Sequence, residues 1–85
     1  MTKQITITIK FYSGVHRELN LEDYNPSEGL TLTPASGTRL KKILKQLGIQ
    51  NLSSLAYFRG GERIGLWSKV KDGDEISCLK PSAGG

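Results

Sequence analysis

The chain closes on Lys71-Asp72-Gly73-Asp74-Glu75-Ile76-Ser77-Cys78-Leu79-Lys80-Pro81-Ser82-Ala83-Gly84-Gly85, and the reading of this stretch decides the fold. Asp72-Gly73-Asp74 is turn chemistry: short polar side chains bond locally, and glycine takes the left-handed backbone that a tight turn needs. Glu75 to Lys80 then reads as a strand, with Ile76 and Cys78 on one face and Ser77 and Leu79 on the other. Pro81 has no N–H to give to a ladder, so pairing stops there. Beyond it Ser82 and Ala83 are small and Gly84 and Gly85 carry no side chain. The chain therefore narrows toward its tip, over a reach from Pro81 to Gly85 of at most ~17 Å. Such a taper can carry a backbone carboxylate into a channel too narrow for any side chain.

The residues upstream supply a domain to present this tail. Ile5, Ile7, Ile9 and Phe11 alternate with Thr6, Thr8 and Lys10, which makes residues 4–11 a strand with one buried face. Val15 to Leu21 is read as a short helical turn, and Asn25-Pro26-Ser27-Glu28-Gly29 as a loop. Leu30 and Leu32 alternate with Thr31 and Thr33 in a second strand that stops near Pro34. Thr38 is the expected N-cap of a helix across 39–47, whose Leu40, Ile43, Leu44 and Leu47 recur on one face and which Gly48 closes. Leu55 to Arg59 forms a third strand, Gly60-Gly61 a hairpin turn, and Glu62 to Leu66 a short fourth strand. Val70 is an apolar anchor ahead of the final turn. The order β-β-α-β-β-β describes an α+β domain, a mixed sheet of four to five strands with one main helix across it. Its first and last strands are expected to be parallel neighbours. Residues 1–80 form the domain and 81–85 the tail.

At 85 residues the chain can bury one modest core. Its single cysteine, Cys78, rules out an internal disulfide and fits a reducing compartment, the cytosol. The amino-terminal stretch alternates apolar and polar residues, with no apolar block of a signal peptide or membrane span. The net charge of +4 is spread along the chain apart from Arg39, Lys41, Lys42 and Lys45. Those four read first as the solvated face of the helix, and secondarily as a site for an acidic partner. Nucleic acid ranks last, because the sequence lacks the aromatic platform on which single-strand binders stack bases.

Strand parity points to a docking surface. With Ile76 facing the helix, Leu79 faces outward beside the tail. With Ala56 and Phe58 placed in the core, Leu55, Tyr57 and Arg59 face outward. Leu79 and Tyr57 then form an apolar patch rimmed by charge, the composition of a recognition surface. Other residues carry less. His16 is the only histidine and has no second ligand or triad partner at a suggestive spacing. Cys78 falls on the core face and acts as a small hydrophobe. Asp72, Asp74 and Glu75 read as a turn rather than a metal site, and no metal is expected. Trp67 fits either core or interface.

Three features together resemble the β-grasp sulfur carriers of the MoaD/ThiS family, which are ubiquitin-like. They are the first strand running into Phe11-Tyr12 and Val15-His16-Arg17-Glu18-Leu19, the helix spaced Leu40, Ile43, Leu44 and Leu47, and the Asp72-Gly73-Asp74-Glu75 turn ahead of Gly84-Gly85. The aromatic pair followed by Arg17-Glu18-Leu19 is more similar to the molybdopterin-synthase small subunits than to the thiazole carriers. Departures lie in Asn20 to Gly29, in Gly60 to Trp67, and at Cys78, where relatives often carry a larger apolar residue. The resemblance implies a carrier rather than an enzyme, with no permanently bound cofactor. An adenylyltransferase resembling ubiquitin-activating enzymes would use ATP to activate the Gly85 carboxylate. A sulfur donor such as a cysteine desulfurase would then leave a thiocarboxylate. Leu79, Pro81, Ser82, Ala83 and Gly84, with Tyr57 and Arg59, would seat the tail in a synthase large subunit of the MoaE type. Alternative recipients are thiazole, an amino acid or tRNA, and an alternative fate of the same end is conjugation to protein lysines.

Overall fold

The computed structural model describes residues 3–12, 15, 24–25 and 27–81. The His16 to Leu21 part of the expected helical turn, and the tail residues Ser82 to Gly85, lie outside the described residues. Five strands form one mixed sheet: β1 (Ile7–Phe11), β2 (Leu30–Leu32), β3 (Ala56–Arg59), β4 (Glu62–Ile64) and β5 (Glu75–Leu79). Their spatial order is β2-β1-β5-β3-β4. The helix α1 (Leu40–Gln46) and a 3-10 turn (Leu52–Ser54) connect β2 to β3. No helix among the described residues is long and apolar enough to cross a membrane.

β1 and β5 are the central pair and run parallel, with Ile9 opposite Ile76 and Phe11 opposite Cys78. This is the arrangement expected from a hairpin followed by a crossover helix. The alternation in β1 is converted directly into burial: Ile7, Ile9 and Phe11 are buried, while Thr8 and Lys10 between them are half-buried on the other face. Leu40, Ile43 and Leu44 of α1 meet that apolar face, together with Val15, Ile49, Val70, Ile76 and Cys78. At ~25 cal/mol per Å² of apolar surface, this single layer is the main stabilising contribution available to so short a chain.

The helix begins differently from expectation. Arg39, in extended backbone, is the N-cap and offers no side-chain bond. The Thr38 hydroxyl instead donates to the Ala35 carbonyl at 2.6 Å. The first helical amides are satisfied by the loop that leads toward β5: Leu40 N–H donates to Ser68 O and Lys41 N–H to Leu66 O, both at 2.9 Å. The loop thus does the work of a capping side chain. At the other end Gly48, at φ 84°, closes the helix as its sequence position implied.

Candidate functional site

The exit of β5 is the place to which the sequence assigned chemistry, and the ladder fixes what surrounds it. Leu79 ends the strand, half-buried, and lies opposite Ala56 of β3. Its neighbour Cys78 is fully buried and accepts a hydrogen bond from Tyr12 N–H through its carbonyl at 2.8 Å. The same end of the sheet is pinned by Tyr24. Its hydroxyl accepts from Phe11 N–H at 2.8 Å, and its ring meets that of Phe11 edge-on at 5.5 Å. Pro81 is exposed and lies past the last ladder pair. Leu79 therefore faces away from the helix beside the chain's departure, on the face the sequence predicted for it.

Two expected members of the patch are elsewhere. Tyr57 is only 3% exposed and belongs to the core, with Leu55 beside it. The reason is register: Tyr57 lies opposite Cys78. Cross-strand partners project to the same face, so both must point to the helix. The buried phenol is satisfied by donating to Leu52 O at 2.7 Å. Burial pushes its pKa up, with the Cys78 thiol adding a smaller upward push. Arg59 lies opposite Ile76, at the start of β5 rather than its exit. Its guanidinium donates to Asp74 Oδ2 and to Lys69 O, each at 3.1 Å. It braces the Asp72–Asp74 turn and is not beside the exit of β5 at Leu79.

The outer face that remains is a different set. Phe58, half-buried, lies opposite Ser77, which in turn lies opposite Lys10 of β1. Arg63 of β4 extends the row on the other side of Phe58. Lys10 pairs with Glu75 at 2.9 Å, and the hydrogen bond and charge of Glu75 raise the lysine pKa. Phe58 and Leu79, both half-buried, therefore form a small apolar strip bordered by Lys10, Glu75 and Arg63, with Ala56 on the same face but buried at 3% exposure. Phe58 was missed because Leu55-Ala56-Tyr57-Phe58 is an unbroken apolar run that contains no parity signal. Ser77 was the available clue, since a polar residue between Ile76 and Cys78 marks the outer face of β5 and its cross-strand partner shares that face.

The acidic turn has structural partners throughout. Asp72 Oδ1 accepts from Thr6 N–H, and Asp74 Oδ2 from Lys71 N–H, both at 2.8 Å. Gly73, at φ 85°, donates its N–H to Thr6 O at 2.8 Å. Cys78, sealed between the sheet and helix, has its thiol pushed up to about 12 by burial. That leaves it protonated and unreactive at neutral pH.

This topology has known counterparts. The fold is the ubiquitin-like β-grasp. A protein assigned as molybdopterin converting factor subunit 1 from Pyrococcus furiosus superimposes with a TM-score of 0.68 at 10% identity, covering 92% of this chain and 99% of its own. SAMP1 from Haloferax volcanii superimposes with a TM-score of 0.63 at 15% identity, covering 94% of this chain and 99% of its own. No protein-family model and no curated protein matches the sequence. The β-grasp likeness thus lies in backbone geometry, with almost every side chain changed.

Proposed function

We propose that this β-grasp protein is a sulfur carrier. Residues 1–80 are the folded body and 81–85 the working tail. A partner adenylyltransferase joins the Gly85 carboxylate to AMP with release of pyrophosphate. A persulfide donor then displaces AMP and, after reductive cleavage of the sulfur–sulfur bond by a thiol, leaves a thiocarboxylate. Activation is required because a free α-carboxylate, with a pKa near 3.5, is ionised and a poor electrophile at neutral pH. Sulfide is then donated to an acceptor held by a synthase subunit, and a molybdopterin-type precursor is the recipient we favour. The free, buried Cys78 suits the reducing interior in which a thiocarboxylate persists.

The observation that carries this reading is the half-buried Leu79 on the outer face, with Phe58 on the same face of β3, where β5 leads to Pro81 and, in sequence, to Gly84-Gly85. An apolar strip at the root of a tapering tail lets a partner hold the body while the tip enters a recess. The neighbour described as a molybdopterin converting factor subunit supports the choice of recipient. Incubation with the activating enzyme, ATP and a sulfur donor, followed by intact-mass measurement, is expected to show one oxygen replaced by sulfur at Gly85. An unchanged mass with demonstrably active partners overturns the reading. Stable adducts of Gly85 on lysine side chains would instead identify a protein modifier.

A further inference from the structure

The helix side of the molecule carries a surface that the carrier reading does not use. The Leu66–Ser68 loop is tied to the start of α1 by its two carbonyl acceptors, and Arg39 Nη1 donates to Trp67 O at 2.6 Å. These bonds hold Trp67 out from the body with 66% of its surface exposed. The Lys41 ammonium sits over its ring, 4.8 Å from the centroid. Between loop and helix lies an open groove of about 710 Å³, lined among others by Arg39, Lys41, Lys42, Lys45 and Trp67. The ion pairs Lys10–Glu75 and Arg59–Asp74 lie away from it, and Lys41, Lys42 and Lys45 meet no carboxylate among the described residues.

An exposed tryptophan keeps a large apolar area in water, and Trp and Arg are the residues enriched where binding energy concentrates. Unpaired lysines beside it select for negative charge. Among the described residues that line the groove Trp67 supplies the only ring, and one of its faces is occupied by Lys41, so successive bases have no ladder on which to stack. The groove runs along a helix of about 10 Å, the length of a few residues of extended peptide. We propose that this groove binds an acidic segment of a partner protein, with carboxylates on Lys41, Lys42 and Lys45 and an apolar side chain against Trp67. Because it lies on the helix side, such a partner leaves the outer face of the sheet free. The proposal is independent of the carrier chemistry and requires neither Gly84 nor Gly85.

Trp67 is the only tryptophan, so its emission reports directly on the groove. The full-length protein is titrated with a synthetic acidic peptide carrying one phenylalanine among glutamates and aspartates. A glutamine/asparagine peptide of the same length serves as control. The expected result is a saturable change in Trp67 emission with the acidic peptide and none with the control. Backbone amide shifts should be confined to the groove. Replacing Lys41, Lys42 and Lys45 together by Gln, which keeps helix propensity, is expected to weaken binding about tenfold. Trp67→Ala, followed by calorimetry, is expected to weaken it about thirtyfold. Equal binding of the control, or no emission change at low salt, overturns the proposal. So does tighter binding of oligouridylate, which would make this an RNA surface. Self-association that buries Trp67 also overturns it, by making the occupant a second copy of the chain. Removal of Gly84 and Gly85 should leave peptide binding intact, so this test and the sulfur-transfer test fail separately.

Discussion

At its start β5 is tied down by three side-chain contacts of the Asp72–Asp74 turn, whereas at its exit Leu79 presents a half-buried apolar side chain to the outer face. The start carries the Asp72 bond to Thr6, the Asp74 bond to Lys71 and the Arg59–Asp74 ion pair. The exit ends with the Tyr12–Cys78 backbone bond, the packing of Leu79 opposite Ala56, and a proline. Polar side chains spent on the start fix where the strand begins and hence its register against β1. At the exit Leu79 is half-buried on the outer face, and Pro81 lies past the last ladder pair. Conserving stability at one end and accessibility at the other is what a strand needs if it is both the centre of a fold and the root of a reacting tail.

This contrast can be broken in four ways. The largest effect belongs to the tail: deletion of Gly84 and Gly85 is expected to abolish thiocarboxylate formation in the intact-mass assay, while the thermal midpoint stays unchanged. At the start of β5 the effects invert. Asp74→Ala removes an acceptor from Lys71 N–H and leaves Arg59 without its carboxylate, so denaturant unfolding should show a loss of about 2 kcal/mol. Sulfur loading of the folded fraction should be unaffected. On the outer strip, if the proposed activating partner docks there, Phe58→Lys is expected to lower kcat/KM for adenylation about tenfold by placing a charge in the contact. The smallest effect is alkaline. The folded state holds the Cys78 proton to about 12 against an ordinary value of 9.0, so the unfolded chain releases it first and stability falls as pH rises through this window. Between pH 9 and 10, Cys78→Ala should lose about 1 kcal/mol less than the parent chain in parallel unfolding curves.

Much of the fold was legible because its signals are local. The Ile-Thr alternation of β1, the spacing of Leu40, Ile43 and Leu44, the Gly48 stop and the Gly60-Gly61 turn each need only neighbouring residues to be read. The two glycines of that turn do take positive φ, 61° and 83°. Tyr57 and Phe58 were not legible in the same way. Either could face the core, and the choice was made by the register of β3 against β5, a contact across the sequence. Trp67 was undecidable for the same reason, since its position is set by Arg39, 28 residues away. Thr38 shows the converse: a good capping residue was overridden because loop carbonyls reached the helix amides first. Propensity marks where elements lie, and tertiary contacts assign which side chains each face presents.

The two borders of the sheet, β2 and β4, are each only three residues long. A border of that length offers few unpaired backbone groups, and β4 adds the exposed charges of Glu62 and Arg63. Neighbouring molecules therefore find little template on which to extend the sheet into an aggregate. If the chain is the carrier proposed above, resistance to sheet-edge aggregation matters to it as much as its reactive end.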